Sequence, residues 1–159
     1  MVHASGLSDV GRVRKTNEDA FVADPDVRLF AVADGMGGHD GKLEQITHDD
    51  SWAATVLAKD PTIDPAEIAR HPMRHVLTNV LGAREHVDIH ITERDLKGGE
   101  VILLCSDGLH GVLDTDAVRE VLLGTREVEG AARQLVETAM ARGSRDNVTA
   151  LIVRYEADA

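Results

Sequence analysis

The stretch Val101-Ile102-Leu103-Leu104-Cys105-Ser106-Asp107-Gly108 runs five apolar residues into a serine, an aspartate and a glycine. A short apolar run bounded by turn residues is the pattern of a strand covered on both faces. Two other segments share the design. Leu29-Phe30-Ala31-Val32-Ala33 leads straight into Asp34-Gly35, and Val148-Thr149-Ala150-Leu151-Ile152-Val153 starts directly after Asp146-Asn147. Three strands far apart in the chain therefore each carry an aspartate at one end. A fourth acidic pair, Glu18-Asp19, precedes Ala20-Phe21-Val22-Ala23, which can pair with Leu29–Ala33 across a turn at Asp24-Pro25-Asp26. Strand ends are rigid platforms, so side chains there can be held in fixed geometry.

Helical signals fill the remainder. Asp114 or Thr115 can cap a helix carrying Val118, Val121 and Leu122 and ending at Gly124. A second helix is predicted from Val128 to Arg142, with Ala131, Ala132, Leu135, Val136, Ala139 and Met140 on one stripe and Gly143 as its C-terminal cap. Asp64-Pro65 opens a short helix to Arg70, and Ser51 to Ala58 reads as helical. Strands and helices that do not strictly alternate favour an α+β fold over a doubly wound sheet.

The chain has 159 residues, enough for one domain, and only 3% are aromatic, so the core must come from Val, Leu, Ile and Ala. A net charge of −11 argues against nucleic acid and against an anionic membrane face. One cysteine, Cys105, excludes an internal disulfide and fits a reducing compartment. The N-terminus lacks a basic region followed by an apolar stretch, and no apolar run approaches the length of a membrane span. A cytoplasmic protein is expected.

Excess carboxylate commonly serves solubility, and a lone Asp-Gly after a strand is most often a turn. Three such aspartates together with Glu18-Asp19 point instead to convergence. Oxygen ligands select magnesium, manganese or calcium over zinc. Converging carboxylates repel one another, and two divalent cations would remove that repulsion.

Ser8-Asp9-Val10-Gly11-Arg12-Val13-Arg14-Lys15-Thr16-Asn17-Glu18-Asp19-Ala20 resembles the N-terminal motif of bacterial PPM-family metal-dependent serine/threonine phosphatases. Val32-Ala33-Asp34-Gly35-Met36-Gly37-Gly38-His39, Leu103-Leu104-Cys105-Ser106-Asp107-Gly108-Leu109 and Gly143-Ser144-Arg145-Asp146-Asn147-Val148-Thr149 resemble three further motifs of that family, in the family's order. The resemblance implies a two-sheet β-sandwich flanked by helices. It implies that Asp34 bridges two Mn2+ or Mg2+ ions, that the Gly35 carbonyl ligates one of them, and that Asp107 and Asp146 complete the protein ligands. Glu18 and Asp19 would hold metal-bound waters, Arg14 would bind the substrate phosphate, and Asn147 would support the Asp146 turn. The implied reaction is attack of metal-activated water on phosphoserine or phosphothreonine in proteins, without a phosphoenzyme, in partnership with a kinase or its targets.

The resemblance breaks between about Gly41 and Leu43, where the family has two long helices, a strand with paired threonines and a strand ending in Gly-Asp-Ser-Arg. Residues 1–159 thus read as a single domain with an internal deletion near 41–43. The loss predicts exposed apolar surface, unpaired strand edges and a possible homodimer, and a weak or absent third metal site. It also motivates an alternative: a catalytically impaired pseudophosphatase acting as a binding module.

Other residues read as bland. Cys105 lacks the arginine six residues on that a cysteine phosphatase needs, since that position is Gly111, and reads as a buried thiol. His86 and His90 stand four apart, a zinc-like spacing on a helix, but the alternation of Val87, Ile89 and Ile91 reads as a strand and argues against zinc. His71 and His75 read as structural or surface residues, and Trp52 as packing. His39 follows the glycine loop, but Met36 stands where some family members carry a histidine acid. The Gly35–Gly41 loop lacks the lysine and hydroxyl residue of a phosphate loop.

Overall fold

The computed structural model describes residues 1–33, 43–74, 76–80 and 85–157. Asp34, Gly35, Met36, His39 and His75 lie outside the described residues. The chain divides into two compact units, residues 1–46 with 93–159, and residues 47–92.

The first unit is organised by β5 (Val148–Tyr155), whose first six residues are all buried. It pairs antiparallel on one side with β1 (Val2–Asp9) and on the other with β4 (Val101–Cys105), giving the sheet order β1-β5-β4. A second sheet is the hairpin of β2 (Phe21–Asp24) and β3 (Leu29–Val32). Asp24 closes its turn by accepting from the amides of Asp26 and Val27.

Register explains why the first six residues of β5 are buried without alternation. Val148, Ala150 and Ile152 lie on one face with Leu103 and Cys105 of β4, and join the core built with α4 (Thr115–Gly124) and α5 (Val128–Ala141). Thr149, Leu151 and Val153 lie on the opposite face, which the register shares with Ser8, Gly6 and Ala4 of β1. Gly6 leaves room there for the Phe21 ring of the hairpin, which would collide with any Cβ at that position. Two covered faces are why alternation is absent.

Both long helices form as their sequences dictate. The Asp114 carboxylate accepts from the Ala117 amide at the start of α4. Ala131, Ala132, Leu135, Val136 and Ala139 of α5 are buried as the stripe predicts. Gly143 takes φ +89°, and the amides of Gly143 and Ser144 return to Met140 and Ala139 carbonyls, closing the helix and aiming the chain at Asp146.

The structure departs from the sequence reading in several places. β1 has no counterpart in the sequence reading: Val2–Asp9 mixes polar, small and apolar residues, and becomes a strand because eight consecutive residues pair with β5. Leu29–Ala33 is not covered on both faces. β3 ends at Val32, is bonded only to β2 among the described residues, and leaves Leu29 53% exposed. Asp107-Gly108 is no simple turn but the start of a one-turn helix, α3 (Asp107–His110), with the Gly111 amide bonded to the Asp107 carbonyl.

The second unit holds α1 (Trp52–Lys59) and α2 (Pro65–Arg70). Ser51 caps α1 through its hydroxyl to the Ala54 amide, and Asp64 caps α2 with Pro65 in the first turn. Trp52 stacks on His71 at 4.3 Å between ring centroids. Of the two helices' residues only Ile68 is buried. Residues 86–91, expected as a strand, form none, and Ile89 and Ile91 are 77% and 83% exposed. Their alternation finds no partner strand among the described residues, and an unpaired extended segment is not a sheet.

Candidate active site

Two glycines let three chain segments close on one another. Gly11, at φ +82°, lies where a Cβ would collide with the Asp146 carbonyl oxygen, and a Cβ on Gly108 would collide with the Asn147 carbonyl oxygen. The loop after β1 and the N-terminal turn of α3 thus pack directly on residues 146–147, ahead of β5. Ser144 fastens the same region by donating its hydroxyl to the Gly108 carbonyl at 2.7 Å.

Asn147 is the clasp. Its amide nitrogen donates to the carbonyls of Val10 (2.7 Å) and Thr16 (2.9 Å), and its amide oxygen accepts from the Glu18 backbone at 2.8 Å. Its own backbone N–H donates to the Asp146 carboxylate at 2.9 Å. One buried side chain therefore fixes the whole 10–18 loop, a wider task than supporting the Asp146 turn.

On that platform Arg14 donates to Asp146 Oδ2 at 2.6 Å. The bond and the charge of Asp146 raise the Arg14 pKa above its ordinary value, with smaller upward contributions from the Glu18 and Asp107 charges. These four side chains thus share one electrostatic neighbourhood. Asp19 is held separately: its Oδ2 accepts from the hydroxyls of Ser106 (2.6 Å) and Thr149 (2.7 Å). Ser8 bonds Thr149 at 2.7 Å, and Asn17 donates to Ser8 at 2.8 Å. Ser106, Thr149, Ser8 and Asn17 were not singled out from the sequence. The available signal was the hydroxyl of Ser106 beside Asp107 and a threonine inside an otherwise apolar strand.

The β1 loop, α3 and the β5 entry thus bring Arg14, Glu18, Asp19, Asp107, Asp146 and Asn147 to one region, with direct bonds from Arg14 to Asp146 and from Asn147 to the 10–18 loop. Ala33, the last described residue before Asp34, donates to the Ala20 carbonyl at 2.9 Å, beside Asp19. Every side-chain acid in the set offers oxygen alone, and the acids of the region outnumber its one arginine, a donor chemistry that fits hard divalent cations. Cys105 is buried in the helix-side core, as expected of a small apolar side chain.

This α+β architecture is that of the bacterial PPM phosphatases. PppA of Pseudomonas aeruginosa superposes with a TM-score of 0.83 at 23% identity, covering 96% of this chain and 97% of that one. The catalytic domain of PstP in complex with two manganese ions superposes at 0.76 with 22% identity, covering 98% and 99%. No protein-family model matches the chain.

In sequence, the chain is similar to bacterial serine/threonine phosphatases. It is 37% identical over 126 residues to PstP of Mycobacterium tuberculosis, a match covering 78% of this chain and 24% of PstP. It is 26% identical over 158 residues to the serine/threonine phosphatase stp of Listeria monocytogenes, covering 98% of this chain and 62% of that protein. The chain thus spans less than two thirds of these relatives' length.

Proposed function

We propose that residues 1–159 form one phosphatase domain, internally shortened near residues 41–43, that hydrolyses phosphoserine and phosphothreonine in proteins with two Mn2+ or Mg2+ ions. The observation that carries this reading is the meeting of Arg14 with Asp146 at 2.6 Å in the shared field of Glu18 and Asp107. The sequence relatives, named as serine/threonine phosphatases, support it.

Asp34, the Gly35 carbonyl, Asp107 and Asp146 would hold the ions. When bound, these supply Lewis acidity toward phosphoryl oxygens and a water acidic enough to act as nucleophile near neutral pH. The chain's own groups do the positioning. Arg14 presents a planar fork suited to two phosphate oxygens, and it exchanges its bond to Asp146 for one to substrate. Asp19, pinned by two hydroxyls, and Glu18, pinned through its backbone, orient water at fixed positions. Asn147 keeps the Arg14 loop against Asp146 throughout.

The reading extends to a cytoplasmic protein acting on phosphoproteins, including a serine/threonine kinase or its targets, with a homodimer covering the apolar residues exposed on the β2–β3 hairpin. No described helix is long and apolar enough to cross a membrane. Full-length chain supplied with Mn2+ should release phosphate from a phosphothreonine peptide, lose that activity to a chelator, and lose at least about a hundredfold of it on Asp107→Ala. Unchanged hydrolysis by Asp107→Ala would remove the assignment.

A second reading, a binding module without turnover, is favoured by the apparent deletion next to Asp34 and Gly35. It predicts phosphopeptide capture with no manganese-dependent release of phosphate.

A further inference from the structure

The second unit contains a cluster that the phosphatase reading does not use. His48, Asp50 and His90 bring one ring nitrogen each and one carboxylate oxygen within 4.8 Å of one another. His90 Nε2 lies 3.1 Å from Asp50 Oδ1, and His48 Nδ1 lies 4.0 Å from the same oxygen. The two rings approach to 5.2 Å between centroids at an interplanar angle of 40°. His86, the partner that sequence spacing offered to His90, is not in the group.

The cluster is braced from outside. Asn79 donates to Asp50 Oδ2 at 2.7 Å, which leaves Oδ1 as the oxygen presented to the imidazoles. The same Asn79 side chain donates to the Asp88 carbonyl at 2.7 Å and accepts from the Asp88 amide at 3.1 Å, so one residue fixes both Asp50 and the segment carrying His90. The Asp50 carbonyl accepts from the Thr78 amide at 2.8 Å, and the next residue, Ser51, is the cap of α1. Asp50 is therefore held at its backbone and at one carboxylate oxygen. A ligating carboxylate with its second oxygen so occupied is the usual arrangement around a protein-bound metal.

Donor chemistry and spacing decide which ion. Two imidazoles and one carboxylate suit zinc and its transition-metal neighbours, unlike the all-oxygen acids of the first unit. In a tetrahedral zinc site with bonds of about 2.0–2.1 Å, ligand atoms stand about 3.3 Å apart. The His90–Asp50 separation already matches, and His48, with a side chain 63% exposed, has room to swing inward. A ring proton now holds the 3.1 Å contact as a hydrogen bond, and an ion would take that proton's place.

We propose that His48, Asp50 and His90 form a site for one zinc-like divalent transition-metal ion, with water as its fourth ligand and Asn79 as the positioning residue. The ion would tie residues 86–91, which form no secondary structure, to the start of α1.

The test uses the full chain in buffer saturated with Mg2+, which occupies oxygen-ligated sites, and titrates Zn2+ by calorimetry. The expected result is one equivalent bound, weakened by about tenfold or more in His48→Ala and in His90→Ala, and by a similar factor in Asn79→Ala, with Asp107→Ala unaffected. Zinc binding that is absent, or unchanged in both histidine variants, overturns the proposal. Should a variant fail to fold, nitrogen-15 histidine spectra of the unaltered chain decide. One equivalent of Zn2+ should shift the ring resonances of His48 and His90 alone among the eight histidines. Shifts confined to other histidines would overturn it.

Discussion

The β5–α5 region and the 47–92 unit are held by different physics. In the first, five α5 residues and six consecutive β5 residues are buried, and polar bonds at the site are laid over a packed core. In the second, α1 buries nothing and α2 buries only Ile68, so order among the described residues leans on polar locks such as two caps, a ring stack, the Ser51–Leu77 backbone bridge and the Asn79 bridge. Dense apolar packing gives a rigid platform on which acids can be placed. A segment ordered by a few polar locks gives an element whose order can be tuned by whatever occupies those locks.

This contrast can be broken most directly by truncating each region. Leu135→Ala, at a fully buried α5 position, should cost about 4 kcal/mol in urea denaturation, whereas Ile89→Ala should change stability by less than about 0.5 kcal/mol. Equal costs would contradict the comparison. Asn147→Ala is next in size: it strands the Val10 and Thr16 carbonyls and the Glu18 amide, at a cost of about 2–3 kcal/mol. Hydrolysis should fall with it even below the melting transition, because the Arg14 loop is released.

The smallest effect belongs to Asp114. Its bond to the Ala117 amide, then its contact with Arg142, hold its pKa below the ordinary 3.8. A folded-state pKa below the unfolded value stabilises the fold above 3.8 and loses that contribution as pH falls through the folded value. The Tm difference between the wild type and Asp114→Ala should therefore be modest at pH 7 and narrow steadily below pH 3.8. A difference that grows in acid would contradict the cap's role.

Legibility from sequence followed where the determinants are local. α4 and α5 carry cap, stripe and terminator within their own residues, and β4 and β5 carry unbroken apolar runs. β1 does not, because its pairing with β5 is fixed by a partner at the far end of the chain. The 87–91 alternation promised a strand that finds no partner among the described residues. At the site, the acids were legible as residues beside strands, whereas their convergence depends on Gly11 and Gly108 meeting the 146–147 backbone, a contact that no spacing encodes. The His48–Asp50–His90 group was illegible for the same reason, since His90 meets Asp50 across forty residues of chain.

The central claim is that distant carboxylates are gathered tightly enough to cage two hard cations. Counting Mn2+ bound per chain, by the loss of its free-ion electron paramagnetic resonance signal, tests this without relying on any substrate. The account predicts two ions bound by the wild type and loss of that binding in Asp107→Ala/Asp146→Ala, with His48→Ala behaving as wild type. A chain that binds no Mn2+, or a double variant that binds as much as the wild type, would contradict it.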